Sequence, residues 1–221
     1  MQRSLTKRVG YVICQTMARV AGTALFRVRV LGREHVPSTG GGLICANHQS
    51  YFDPILIGAA IDRRLNFVAR DTLFLNPLLG GLISFLDAIP IDREGGGLAG
   101  LRETLRRLKR EELVLIFPEG TRTRNGDLLP LKAGFCAVAR RGKQPLIPVG
   151  FDGAFQAWPR DSPLPRLSAM AVVIGEPILQ PQIAALDDSQ LVAELQQRIV
   201  ACFEQARHMR RSGWRESALP A

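Results

Sequence analysis

The sequence predicts an α/β fold: a single domain with a mostly parallel sheet flanked by helices, preceded by an N-terminal amphipathic helix. Three observations carry that expectation. Short apolar runs of strand length recur along the chain, helical periodicities fill the gaps between them, and no repeat or interdomain linker breaks the alternation. With 221 residues, 46% of them hydrophobic, the chain is long and apolar enough to bury one core. Its 21 glycines and 14 prolines are too few for a disordered or low-complexity chain.

The first element is the amphipathic one. Leu5, Val9, Val12, Ile13, Met17, Val20 and Ala24 recur in three- and four-residue steps, which sets them on one face of a helix. Arg8, Gln15 and Arg19 form a polar stripe opposite, and Arg3, Lys7, Arg27 and Arg29 add positive charge at both ends. Only ten uncharged residues separate Arg8 from Arg19, about half of what a spanning helix needs. Gln15 and Thr16 interrupt the apolar stretch that a signal peptide requires. Two compatible readings stay open: a surface helix packed on the core, or an interfacial helix lying on an anionic bilayer. Residues 1–30 are assigned to this segment, 31–211 to the domain and 212–221 to a frayed tail.

Within the domain, 43–46, 65–69, 88–91, 113–117, 146–151 and 169–174 are apolar runs suited to buried strands. Helical patterns at 54–61, 77–86, 98–110 and 135–141 lie between them, and 187–209 reads as a closing helix with Leu191, Leu195, Ile199, Cys202 and Ala206 on one face. Strands that alternate with helices in this way make a largely parallel sheet.

Charge narrows the function classes. Lys and Arg number 29 against 20 acids, for a net charge of +9, which favours anionic partners. Aromatics at 6% suit stacking on single strands poorly, and no zinc-finger or RNA-recognition signature is present. Acidic lipid or a phosphorylated substrate is therefore expected, and no nucleic acid. Cys14, Cys45, Cys136 and Cys202 are too dispersed for a zinc spacing and too few for a disulfide framework, so they read as buried thiols in a reducing compartment. His35, His48 and His208 are scattered, and no metal site is expected.

Three segments carry possible chemistry. Gly95-Gly96-Gly97-Leu98-Ala99-Gly100 satisfies the dinucleotide pattern GxGxxG, and Glu119 lies where a ribose-binding acid would belong. Against it, Asp92-Arg93-Glu94 separate the glycines from the strand, and that strand contains Pro90, which a central strand tolerates badly. A glycine connection is the better reading. The second segment, Asn47-His48-Gln49-Ser50-Tyr51-Phe52-Asp53-Pro54, follows an apolar strand. Asp53 before Pro54 has the form of an N-cap with proline at the first helical position. Folded into a turn, the Asp53 carboxylate could instead accept from one imidazole nitrogen of His48 and leave the other as a base. The third, Phe117-Pro118-Glu119-Gly120-Thr121-Arg122, leaves another strand, as either an anion site with exposed backbone N–H groups or a salt-bridged turn.

Asn47-His48-Gln49-Ser50-x-x-Asp53 followed downstream by Phe117-Pro118-Glu119-Gly120-Thr121-Arg122 resembles the glycerolipid acyltransferase family, and most closely its 1-acylglycerol-3-phosphate acyltransferases. Val68-Ala69-Arg70, Pro77-Leu78-x-Gly80 and Ile89-Pro90-Ile91-Asp92-Arg93 resemble the family's second block. Lys132-x-Gly134-Phe135 and Pro145-Leu146-Ile147-Pro148-Val149 resemble the end of the third block and the fourth. Arg70 stands where many relatives have lysine, which keeps the charge and changes the geometry.

The resemblance implies transfer of an acyl group from a thioester to the free sn-2 hydroxyl of a lysophosphatidate, with acyl-CoA or acyl carrier protein as donor and no cofactor. His48 would take the hydroxyl proton, and Asp53 would fix its tautomer. Backbone N–H groups around Gly120 would receive the oxyanion, and Arg70, Arg93, Thr121 and Arg122 would surround the phosphate, with Lys132 a weaker candidate. Glu119 would orient an arginine or a substrate hydroxyl. No protein nucleophile is needed, in keeping with the lack of a GxSxG elbow. Work at the cytoplasmic face of a membrane, as a peripheral or monotopic protein, would follow. Acylation of another lysophospholipid, an ornithine-type lipid or glycerol 3-phosphate stays open, as does a non-catalytic basic lipid-binding protein.

Overall fold

A computed structural model describes residues 4–91 and 98–212. The six apolar runs become β2 (Gly42–Ala46), β3 (Leu65–Arg70), β4 (Ile89–Ile91), β5 (Leu113–Ile116), β6 (Leu146–Asp152) and β7 (Ala171–Ile174), and an unpredicted strand β1 (Arg29–Leu31) precedes them. They pair into one sheet of order β1-β7-β6-β2-β5-β3-β4. Every pairing is parallel except β6 with β7, which is antiparallel. The sheet is thus mostly parallel, as the alternation predicts.

Helices α1 (Leu5–Phe26), α2 (Asp53–Ala60), α3 (Pro77–Phe85), α4 (Leu98–Lys109), α5 (Gly134–Gly142), α6 (Ala154–Ala157), α7 (Gln180–Ala185) and α8 (Asp188–Arg211) flank it. Side chains alternate across each strand, so both faces of the central strands need apolar cover. Ile44, Leu115 and Val149 meet Leu56 and Ile57 of α2 on one face. Leu43, Val114 and Leu146 meet Phe135 of α5 and Leu191, Leu195 and Ile199 of α8 on the other. Continuous apolar strands are the sequence expression of that double burial.

The five residues expected on the inner face of α8 are all buried. Its start is fixed by a reciprocal cap: Asp187 Oδ1 accepts from the Gln190 N–H at 2.8 Å, and Gln190 Oε1 accepts from the Asp187 N–H at 2.9 Å, satisfying two helix-end donors. α8 crosses β6 closely because residue 150 is glycine. A Cβ there would stand 2.2 Å from the Phe203 nitrogen.

α1 is built in reverse of an ordinary surface helix. Two of its three stripe residues face the domain: Gln15 Nε2 donates to the Gly58 and Ile61 carbonyls at 2.8 Å, and Arg19 donates to Ala59, Ile61 and Asp62 at 2.7–2.8 Å, whereas Arg8 is exposed. Its apolar stripe faces outward, with Val12 57%, Met17 66% and Val20 63% exposed. The helix has 22 residues and contains an 18-residue stretch of mean hydropathy 1.2, sufficient by length and composition to cross a membrane, which its ten-residue uncharged stretch does not suggest. Arg19 and Gln15 instead tie it lengthwise to α2.

Other departures are local. Strand β1 begins at Arg29 and pairs with β7, so the sheet starts two residues ahead of the expected border at 31. Pro90 is accommodated because β4 is an edge strand, where a missing N–H costs little. Asp53 is not the N-cap of α2; the cap residue is Phe52, and Asp53 opens the helix. Cys45, Cys136 and Cys202 are buried free thiols, whereas Cys14 is only half-buried on α1. The glycine run through Gly97 and the tail from 213 lie outside the described residues.

Substituting Gly150 by alanine should drive a methyl into the α8 backbone, lowering stability by about 1–3 kcal/mol. Chemical denaturation of the variant against the parent measures it.

Candidate active site

Strands β6, β2 and β5 are adjacent and parallel, so the loops leaving their C-terminal ends meet at one edge of the sheet. Ligands of open α/β sheets bind at that edge. β2 delivers 47–53 and β5 delivers 117–123, which brings the second and third sequence segments together.

The turn after β2 is held by side chains that face away from solvent. Asn47 spans to β6, donating to the Phe151 carbonyl at 3.0 Å and accepting from its N–H at 2.9 Å. Gln49 donates to the Gly126 carbonyl at 2.8 Å. Ser50 Oγ donates to the Trp158 carbonyl at 2.7 Å and accepts from the Phe52 N–H at 3.1 Å. Each bond satisfies a polar group that the fold has buried.

Asp53 turns back into this turn instead of capping its helix. Its Oδ2 lies 2.7 Å from His48 Nδ1 and accepts from the N–H groups of Gln49 at 2.6 Å and Ser50 at 2.8 Å. The side chain is fully buried. Burial holds the carboxyl above the usual carboxylate range, with the His48 ring and the two amides opposing part of that rise. Donors converging on one oxygen favour the ionised acid. The His48 ring, 18% exposed, stacks on Phe117 with centroids 4.0 Å apart and planes 11° from parallel. With Nδ1 occupied by Asp53, Nε2 has no partner among the described residues and is available to a substrate.

The two segments are also joined directly. The His48 N–H donates to Glu119 Oε1 at 3.2 Å, and the His48 carbonyl accepts from the Thr123 N–H at 2.9 Å. Glu119 is 2% exposed. Burial pushes its carboxyl up to about 8, with the Asp53 charge adding to the rise and the backbone amides of His48 and Leu129 opposing it. Among the described residues it forms no ion pair with an arginine; its Oε1 holds the His48 backbone, and its Oε2 is buried without a partner.

Gly120 has φ +73°, a left-handed conformation that glycine adopts without penalty. Its N–H donates to the Phe117 carbonyl at 2.9 Å and is therefore not a free oxyanion donor. The Lys132 stem lies against it, with Nζ 3.3 Å from where a Cβ would stand. Thr121 is half-buried in the same loop. The Arg122 guanidinium lies 3.7 Å from the centroid of the Tyr51 ring, and its Nη1 is buried without a partner. Arg70 closes β3 beside β5 on the same sheet edge, whereas Arg93 lies outside the described residues. The stacking of Phe117, the Tyr51 platform and the Thr123 clamp carried no signal in the residue pattern, because each depends on which strands become neighbours.

A model of the acyltransferase family matches residues 27–152, more than half of the chain. The chain is 31% identical over 186 residues to the 1-acyl-sn-glycerol-3-phosphate acyltransferase of Bacillus subtilis (strain 168), covering 84% of this chain and 90% of that protein. It is 33% identical over 138 residues to the enzyme of the same name from Cocos nucifera, over 61% of this chain and 44% of that one. The crystal structure of the 1-acyl-sn-glycerophosphate (LPA) acyltransferase PlsC from Thermotoga maritima superposes with a TM-score of 0.79 at 23% identity, covering 95% of this chain and 86% of that one, which shows the fold. Such matches define an enzyme of the acyl-transferring class. Within it, the chain belongs to the acyltransferase family and is most similar to the 1-acyl-sn-glycerol-3-phosphate members.

Glu119 generates a pH prediction. A folded carboxyl at about 8 binds its proton where an unfolded one, near ~4.3, has released it. Stability therefore falls as pH rises through that interval. Glu119→Gln keeps the acceptor for the His48 N–H and should flatten this part of the stability–pH profile, as followed by denaturation across the window.

Proposed function

We propose that this enzyme moves a fatty acyl group from an acyl thioester to the sn-2 hydroxyl of 1-acylglycerol 3-phosphate, giving phosphatidic acid, with His48 as general base. The observation that carries the reading is the 2.7 Å contact of His48 Nδ1 with the fully buried Asp53 carboxylate. It fixes the tautomer that carries the lone pair on Nε2.

His48 Nε2 takes the proton from the acceptor hydroxyl as its oxygen attacks the thioester carbonyl. Asp53 stabilises the imidazolium that forms, as in hydrolase triads. The tetrahedral intermediate collapses with loss of the thiolate, which recovers the proton from His48. Base assistance of this kind is worth about 10²–10⁴-fold. The Thr121 and Arg122 backbone N–H groups, which have no partner among the described residues, are the donors that this reading assigns to the oxyanion, in the role expected around Gly120. Arg122, with Arg70 and Arg93, holds the phosphomonoester, and the unpartnered Nη1 of Arg122 is a donor suited to a phosphate oxygen.

A cavity of about 320 Å³ between α1, α2 and β1, lined by Gly22, Phe26, Phe52, Leu56, Ala59 and Met170, is the apolar space for the acyl chain. Phe52 links it to the turn that carries His48. The outward apolar face of α1 rests on the cytoplasmic face of an anionic membrane, from which the lysolipid is drawn. Acyl-CoA and acyl carrier protein are both acidic donors that a chain of net charge +9 attracts.

Thiol release from palmitoyl-CoA and from an acyl carrier protein thioester, with and without lysophosphatidate, tests the reading and names the donor. Release should require the acceptor and fall about 10²–10⁴-fold in His48→Ala. Release without acceptor would mean a thioesterase, and activity only with another lysolipid would correct the substrate. Ala59→Phe should move the preferred thioester to shorter chains in a chain-length series.

A further inference from the structure

Between α6 and β7 the chain runs through residues 158–170 without regular structure, and this loop exposes what a soluble surface would hide. Leu164 is 71% exposed and Leu167 73%. Pro159, Pro163 and Pro165 restrict the backbone around them, since each fixes φ and removes a donor. The loop is also braced. Its neck is closed by the Arg166 N–H on the Ala157 carbonyl at 2.7 Å. Trp158 Nε1 donates to the Ser162 carbonyl at 3.1 Å. The leucines are therefore held outward by a built scaffold.

Charge accompanies them. Arg160 and Arg166, with Arg124 from the loop after β5, line a cavity of about 350 Å³ that also meets Thr123, Phe155 and Ser162. Arg160 has only a 4.0 Å contact with the 86% exposed Asp161, and Arg124 and Arg166 form no ion pair among the described residues. Two exposed leucines beside three arginines match the acyl layer and the phosphates of a bilayer.

The loop is attached to both elements a membrane contact would need to position. At one end the Trp158 ring packs on Tyr51 and Phe52, with centroids 5.3 and 5.0 Å apart, and its carbonyl holds Ser50. At the other, the Met170 N–H donates to the Phe26 carbonyl at the end of α1, and the Met170 carbonyl accepts from the Arg29 N–H, both at 3.1 Å. We propose that residues 158–170 form a second lipid-docking element that seats Leu164 and Leu167 in an anionic bilayer with Arg124, Arg160 and Arg166 at its phosphates. Together with α1 it sets the angle at which the His48 edge meets the membrane. The inference deepens the reading that the lysolipid is taken from a bilayer, and it assigns a surface that reading does not use.

The full chain is mixed with vesicles of phosphatidylcholine containing phosphatidylglycerol. Leu164→Ser/Leu167→Ser should partition about tenfold more weakly, and Arg160→Gln/Arg166→Gln should lose about the same factor on anionic vesicles only, with the loss erased by salt. A Leu164→Trp variant should gain emission that brominated lipids quench. Turnover of vesicle-borne lysophosphatidate by the double leucine variant should fall, whereas a short-chain, freely soluble lysophosphatidate should be acylated as by the parent. Unchanged partition with no quenching at position 164 overturns the proposal. So does an arginine variant that raises KM for the acyl-CoA donor and binds vesicles normally, because the cavity would then serve the donor. If the parent acylates no acceptor at all, the proposed function fails, while partition and quenching, which need no turnover, still decide the loop.

Discussion

One buried oxygen organises the candidate site. Asp53 Oδ2 collects the His48 ring and the amides of Gln49 and Ser50, so a single carboxylate shapes the turn and fixes the imidazole. A charge without solvent is costly to bury unaccompanied, and its donors are what make the burial tolerable. The same donors leave it no freedom to rotate. The histidine is thus held by a carboxyl group that is itself immobile, the condition that the proposed base needs if its geometry is to be set before substrate arrives.

The N-terminal helix follows the opposite logic. Gln15 and Arg19 spend their donors on carbonyls of α2 and its following turn, where helix-end acceptors are otherwise unsatisfied. The docking is therefore polar, and it frees the apolar stripe from any duty in the core. Large apolar side chains left in water forgo about 1.5–3 kcal/mol each relative to full burial. A row of them on one face is an interaction surface in a way that scattered exposed leucines are not.

Much of this was legible from residues alone. The strands of the central sheet announced themselves because burial on two faces demands unbroken apolar runs, and α8 because its inner positions keep a helical step. The His48 and Glu119 segments were readable as chemistry, yet their relation was not. Local rules offer Asp53 both as a cap of its own helix and as a partner of His48, and the packed turn selects the second. For Glu119 the family resemblance offers an arginine or a substrate hydroxyl to orient, and the adjacency of β2 and β5 adds a backbone partner that no residue pattern announces, the His48 N–H. β1 was silent, since three residues acquire strand character only from their pairing with β7. The rhythm of α1 fixed which residues share a face and left open which face is inward, because an amphipathic period has no sense of direction until a partner surface supplies one.

The placement of β2 and β5 as neighbours also separates the site from the chain length between them. After α2 the polypeptide travels to the far edge of the sheet, forms β3 and β4, and returns through α4 to β5. The His48 and Glu119 loops are registered by strand pairing and by their own hydrogen bonds, so that excursion can lengthen or shorten at its outer connections without moving His48 relative to the loop that faces it. That edge behaves as a fixed hub around which the periphery is free to diversify.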